Sequence, residues 1–353
     1  CHPLRFPAER DQFLGSTEQG ELRDVTEEWG VQTSPGRGLG VLAGLFDGES
    51  MGFYVANDMS SNFYFMLETD SEDQSTLVDS ATARGLALDG RTMAQASMGV
   101  AASDLDGDGD LDFYVTGFAR EYNIYYEQTL PGIWKDRTNR MGLITPTLSV
   151  VGFGTQAVDL DGDGIQELIV TNGHIGHFDE PDSLPYAQPM QLFRRGGDGT
   201  FSLVDIAPWG KYFANDHVGR ALWTIDVDCD GREDMMVTHN AEQVGLLMNR
   251  SDDRHDRVAF RLVGTDVARD ATGAIIRFEC NGKERTLWML SGDGYLCSNE
   301  RTLRAGLGDA KQIANVRVTW QDGTTDSFGD LKSNSEYLLV QGQDEAYLSR
   351  DYK

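Results

Sequence analysis

Asp104-Leu105-Asp106-Gly107-Asp108-Gly109-Asp110-Leu111-Asp112 is the stretch whose reading decides the fold. Carboxylates stand at positions 1, 3, 5 and 9 of this run, and glycine stands at position 6. The same frame returns as Asp159-Leu160-Asp161-Gly162-Asp163-Gly164-Ile165-Gln166-Glu167 and as Asp226-Val227-Asp228-Cys229-Asp230-Gly231-Arg232-Glu233-Asp234. A hard cation such as Ca2+ takes about six to eight oxygens at about 2.3–2.6 Å. Alternate residues of a curling loop turn their oxygens inward, the carbonyl of position 7 (Asp110, Ile165 and Arg232) adds another, and glycine permits the sharp turn. Without a cation, carboxylates so crowded repel one another. The expected cofactor is therefore calcium, about three ions, one in each loop.

An EF-hand shares the first nine positions but needs a bidentate Glu at position 12 and flanking helices. Here position 12 is Val115, Val170 and Val237, each inside a β-rich run. The loops thus lie between strands. In the third, Cys229 replaces the small glycine of position 4. An earlier copy, Leu45-Phe46-Asp47-Gly48-Glu49-Ser50-Met51-Gly52, lacks the first and ninth acids, and no calcium is expected there.

Around the loops a longer phrase repeats. Its openings are Asp24-Val25-Thr26, Asp79-Ser80-Ala81, Asp136-Arg137-Thr138 and Asp205-Ile206-Ala207, read as strands and spaced 55–69 residues apart. Its closings are Phe53-Tyr54-Val55, Phe113-Tyr114-Val115, Leu168-Ile169-Val170 and Met235-Met236-Val237. Each unit holds four short strands but cannot bury its own faces, so neighbours must stack as propeller blades. After Asp256 the pattern changes to alternation, as in Ile276, Phe278 and Cys280 or Val316, Val318 and Trp320, with hairpin turns at Asn281-Gly282 and Asp322-Gly323. The expected fold is all-β: a propeller-type repeat domain over 1–255 with at least four recognisable blades, an antiparallel β-sandwich-like domain over 256–342, and a polar tail over 343–353.

The Asp-Leu-Asp-Gly-Asp-Gly loops with their following apolar strands resemble FG-GAP/VCBS blades, as in integrin α-subunit propellers. Thr171-Asn172-Gly173-His174, Gln191-Leu192-Phe193-Arg194, Gly197-Asp198-Gly199-Thr200-Phe201 and Val218-Gly219-Arg220 narrow the resemblance to the bacterial cartilage acidic protein-like family. Asp270-Ala271-Thr272-Gly273-Ala274, Ser291-Gly292-Asp293-Gly294-Tyr295-Leu296 and Gly306-Leu307-Gly308 resemble the ASPIC/UnbV domain. Two departures stand out. The family usually carries more repeats before this point, and Arg10–Leu14 with Gly20–Leu22 looks like the end of a further blade. The family's Leu-His-Phe-Gly-Leu-Gly also reads Leu303-Arg304-Ala305-Gly306-Leu307-Gly308 here, without the histidine.

The formal net charge of −27 over 353 residues repels nucleic acid and anionic membrane surfaces and favours cations or basic partners. No apolar run approaches the roughly 18–20 residues of a membrane span. Membrane association would come only through a lipid on Cys1, which resembles the first residue of a processed lipoprotein, or through a partner complex. Cys280 and Cys297 fall in one β-region and could pair, which would suit an oxidising compartment. His174, His177, Asp179 and Glu180 form a compact cluster that could hold a second metal or ligand; the plainer reading places His174 in the family's Asn-Gly-His turn. No nucleophile elbow, phosphate loop or dinucleotide fingerprint is present. The expectation is a calcium-stabilised, non-catalytic, extracytoplasmic module for adhesion or assembly, an accessory subunit of a larger surface complex that meets a protein or carbohydrate partner. The alternative is a carbohydrate-active lyase or dehydratase on the same scaffold.

Overall fold

The computed structural model describes residues 3–17, 19–31, 35–69, 75–178, 183–251 and 255–352. Among them, a short hairpin of β1 (Leu14–Ser16) and β2 (Leu22–Asp24) precedes the first full sheet, β3 (Gly38–Leu45), β4 (Met51–Asn57), β5 (Phe63–Thr69) and β6 (Ser75–Asp79). The second sheet is β7 (Val100–Ser103), β8 (Asp112–Val115), β9 (Ile124–Leu130) and β10 (Ile133–Asp136). The third is β11 (Gly152–Val158), β12 (Glu167–Asn172), β13 (Gln191–Arg195) and β14 (Phe201–Leu203), and the fourth β15 (Gly219–Ile225), β16 (Asp234–His239) and β17 (Gly245–Leu247). Every sheet is an antiparallel meander, and the acidic loops join first strand to second in the last three.

The blade-opening aspartates do not begin strands, as expected from sequence; they end them. Asp24, Asp79 and Asp136 close β2, β6 and β10, and each accepts a hydrogen bond from the N–H two residues on, at 2.9, 3.0 and 2.9 Å. Asp205 repeats that bond to Ala207 at 3.1 Å. Such Asx turns release the chain from an outer strand and send it to the next blade.

The second strands are apolar throughout because both faces are covered. Phe113 and Val115 of β8 pack toward the preceding sheet with Phe46, Tyr54, Tyr64 and Trp134, whereas Tyr114 packs toward the next with Leu168, Val170 and Phe193. Ile169 of β12 in turn meets Leu222 and Val237 of the fourth sheet. First strands approach still more closely. A Cβ on Gly99 would lie 2.1 Å from the Phe153 carbonyl oxygen, so only glycine fits beside β11.

The C-terminal unit is a sandwich of two four-stranded sheets. One has the order β21 (Leu303–Gly308), β18 (Asp256–Val263), β24 (Ser335–Val340), β25 (Tyr347–Asp351). The other runs β20 (Lys283–Trp288), β19 (Ile275–Cys280), β22 (Gln312–Thr319), β23 (Thr325–Lys332). Phe260, Ile276, Phe278, Val316, Val318, Trp320 and Leu339 fill the space between them. Two expectations need correction. β18 pairs with β24 in parallel, so the sandwich is not wholly antiparallel. Within the stretch expected as a polar tail, β25 pairs antiparallel with β24 and satisfies that edge.

The sandwich is joined to the blades through residues 291–300. Ser291 and Ala43 exchange backbone hydrogen bonds at 2.8 and 3.0 Å, and Val100 and Gly294 do so at 2.9 and 2.6 Å. The Asn299 amide donates to Gln156 of β11 at 2.8 Å, and its oxygen accepts from the Thr224 N–H of β15 at 2.9 Å. One loop thus meets the first strand of all four sheets.

Candidate metal centre

Within each acidic loop the first aspartate organises the turn. Asp104 accepts from the N–H groups of Gly107 at 2.7 Å, Asp108 at 3.1 Å and Gly109 at 3.1 Å. Asp159 accepts from Gly162 at 2.7 Å and Gly164 at 2.8 Å, and Asp226 from Asp230 at 3.0 Å and Gly231 at 2.9 Å. The glycine at position 6 has φ of +94°, +91° and +86° in the three loops, the left-handed region. These bonds gather the carboxylates of positions 1, 3 and 5. Asp104, Asp106 and Asp108 offer oxygens within 4.8 Å of one another, as do Asp159, Asp161 and Asp163, and Asp226, Asp228 and Asp230. Each triplet could hold a metal ion.

The ninth-position acids, expected as ligands, lie outside the triplets and are bonded to the blade. Asp112 is fully buried and accepts from the N–H of Leu105 at 3.2 Å, the N–H of Gln128 at 2.9 Å and the Tyr125 hydroxyl at 2.7 Å. Glu167 accepts from Leu160 N–H at 3.0 Å and Arg194 Nε at 2.9 Å. Asp234 accepts from Val227 N–H at 3.0 Å and Asn249 N–H at 2.7 Å. Their role is to staple the loop to the second and third strands. Burial pushes Asp112 up to about 8 and Glu167 to about 7.

Electrostatics separate the three triplets. Burial, and then the neighbouring Asp108, raise Asp106 to about 6; burial, and then Asp163, raise Asp159 to about 6. Among the described residues no arginine or lysine forms an ion pair with Asp104, Asp106 or Asp108. In the second loop, Arg194 Nη2 donates to Asp161 at 2.9 Å. The third loop is lined with guanidinium groups: Arg232 Nε donates to Asp230 at 2.9 Å, Arg250 Nη1 to Asp228 at 2.7 Å, and Arg304 lies 3.7 Å from Asp226. Burial disfavours the charged Asp230, yet the Arg232 N–H and guanidinium hold it below the ordinary range. Arg304 stands where the family histidine was missing, buried and bonded to Glu300 at 2.8 Å.

The Leu45–Gly52 segment forms no triplet. Asp47 accepts from the N–H groups of Glu49 and Ser50, both at 3.0 Å, closing a tight turn between β3 and β4.

Of the histidine cluster, His174 and His177 are among the described residues. His174 is buried, with Nδ1 taking the Ile175 N–H at 3.0 Å and the ring edge-on to Phe118 and Phe178. Burial, and then the charge of Arg220, lower its pKa. His177 lies against the Tyr186 ring, 4.2 Å between centroids. Asp179 and Glu180 lie outside the described residues, as does Cys1. His217 and His239 meet each other and Tyr212: His217 bonds Glu242 at 2.7 Å and His239 bonds the Tyr212 hydroxyl at 2.7 Å. Cys280 and Cys297 do not pair. Both are free thiols, Cys280 in the sandwich core against Leu307 and Cys297 on the joining loop against Leu222.

Sequence reasoning missed the arginines and the joining loop. Arg232 lay within the motif as a visible cation among acids; Arg194, Arg250 and Arg304 are remote from their loops in sequence, so no local signal marks them.

Comparison with known proteins agrees with this architecture. Residues 104–170 match the FG-GAP-like repeat and residues 264–346 the ASPIC and UnbV family. Human cartilage acidic protein 1 is 26% identical over 333 residues, covering 92% of this chain and 47% of its own length. The mouse protein of that name is 25% identical over 332 residues (92% and 48%), and the Xenopus tropicalis protein 24% over 326 (89% and 46%). The chain spans about half the length of these relatives. Residues 104–170 thus carry an FG-GAP-like repeat and residues 264–346 an ASPIC and UnbV domain, in a chain similar along most of its length to cartilage acidic protein 1.

Proposed function

We propose that this chain is a calcium-stabilised extracytoplasmic binding or assembly module, not an enzyme. The observation that carries the reading is the first acidic loop: three gathered carboxylates, two of them (Asp104 and Asp106) shifted upward by burial and by Asp108, with no ion pair from a described arginine or lysine and only the charge of Arg285 nearby to favour the ionised Asp104. Asp104, Asp106 and Asp108 would hold one ion, and Asp159, Asp161 and Asp163 a second. Calcium supplies the charge that the first loop lacks; the second loop meets part of that demand with Arg194. The third triplet has its positive charge from Arg232, Arg250 and Arg304, so two ions are favoured over the three expected from sequence. The name shared by the relatives gives a tissue and an acidic character and no reaction, which suits a binding role outside the cytoplasm. No helix among the described residues is long and apolar enough to cross a membrane.

Metal analysis after dialysis against buffered calcium, with melting curves with and without EGTA, tests this. About two ions per chain and a clear fall in Tm on chelation are expected. At a free concentration 100-fold above Kd, each site that binds only the native state adds about 2.7 kcal/mol. No bound calcium together with an unchanged melting curve would overturn the reading.

A further inference from the structure

Because the acidic loops join first strands to second strands, the opposite end of the blade stack is formed by the starts of the first strands and the connections from second to third. There the structure forms a half-open pocket of about 810 Å3, within the roughly 300–1,000 Å3 range of small-molecule sites. Its walls are mainly apolar and aromatic. Phe118 and Phe178 flank the His174 ring, with centroids 5.3 and 4.8 Å away. Phe153 meets Tyr295 edge-on at 5.1 Å, and Tyr295 belongs to the loop that joins sandwich to blades, so both units build the floor.

Among the described residues the lining carries the acids Asp58 and Glu121 and the cation Arg120, of which Asp58 and Arg120 are each engaged in interactions of their own. Glu121 is half-buried. Its Oε2 accepts the N–H groups of Ala96 at 2.9 Å and Phe118 at 3.2 Å, which fixes the carboxylate beside the aromatic wall. Burial, opposed by those N–H groups and aided by the charges of Asp58 and Asp89, makes its negative charge costly. A ligand cation would relieve it. Aromatic faces attract cations through their quadrupole, more strongly when both are out of water. One ring of this wall already does so, since the Arg220 guanidinium carbon sits 4.0 Å from the Phe153 centroid.

We propose that this cavity binds a small organic cation with an apolar or aromatic body, its ammonium group facing Glu121 and its body lying against Phe118, Phe178 and Tyr295. The aromatic walls supply area, and the carboxylate supplies orientation and selection for charge. The site is separate from the acidic loops, so it stands whether or not those hold calcium.

Calorimetric titration of the full chain, in 150 mM salt and saturating calcium, tests the proposal with three probes of one body: phenethylammonium, 2-phenylethanol and 3-phenylpropionate. The cation should bind at least tenfold more tightly than the alcohol, and the carboxylate should not bind. Glu121→Gln keeps an acceptor for the two N–H groups and should reduce the cation to the affinity of the alcohol. Phe178→Ala, at a side chain already 42% exposed, should abolish binding of the cation while the melting curve stays unchanged. Equal affinity for cation and alcohol, preference for the carboxylate, or no binding at millimolar concentration would each overturn it. So would undiminished cation binding by Phe178→Ala, which would place the cation elsewhere on the acidic surface.

Discussion

Two aspartates a few residues apart in one loop do different work. Asp106 belongs to the triplet that points into the turn, whereas Asp112 is consumed by three hydrogen bonds to the blade. Asp106→Ala should remove one calcium per chain and abolish the calcium dependence of that blade. Asp112→Asn should leave the calcium count intact. It places an amide opposite the Leu105 N–H and so should destabilise the fold by about 1–3 kcal/mol, the cost of a buried group left unpaired. Calcium titration and denaturant melts of the two variants separate these outcomes. Loss of calcium from Asp112→Asn with none from Asp106→Ala would reverse the assignment.

Single elements carry the joints between units. β21 brings Arg304 to the third acidic loop, where its side chain is 6% exposed and lies between Asp226 and Glu300. Arg304→Met keeps most of the volume and leaves two acids without their cation. Breaking a buried pair in this way should cost about 3 kcal/mol, with no fall in the number of bound calcium ions. A fall in that number would mean that the third loop is a metal site after all. β25 has a similar structural part. It covers the β24 edge, and Tyr352 beyond it donates its N–H to Asn334 and its hydroxyl to Glu336. A chain ending at Gly342 should melt several degrees lower and, with the β24 edge bare, associate at high concentration by light scattering. An unchanged Tm would return residues 343–353 to the status of a free tail.

At the scale of the molecule, the blades and sandwich share backbone bonds at the joining loop and side-chain bonds at the acidic loops. The Arg304 guanidinium of β21 lies 3.7 Å from Asp226 of the third loop, and the Gly308 N–H donates to the Gly162 carbonyl of the second at 3.0 Å. The two units should therefore unfold together. Calorimetry should show one transition, and limited proteolysis should release neither a stable 1–255 nor a stable 256–353 fragment. Two transitions, or a protease-resistant fragment of either kind, would show that the units are autonomous. Asn299→Ala, which removes the bonds to β11 and β15, should lower that single transition without splitting it.

The all-β class, the repeat and the acidic triplets were legible in the sequence because their causes are local. Strand alternation, the Asp-Gly turn chemistry and loop closure act within about ten residues, and each repeats often enough to be recognised. Only the tertiary structure decided which acids face the loop interior. The ninth-position acids are recruited by N–H groups of neighbouring strands, which lie beside the loop only after the sheet has formed. Tertiary structure likewise supplied the arginines that distinguish the third loop from the first, kept Cys280 and Cys297 apart in different environments, and brought Tyr295 beside Phe153 across 142 positions of sequence. Charge compensation and cavity formation depend on distance in space. A one-dimensional pattern carries that information only where the partners are also neighbours along the chain.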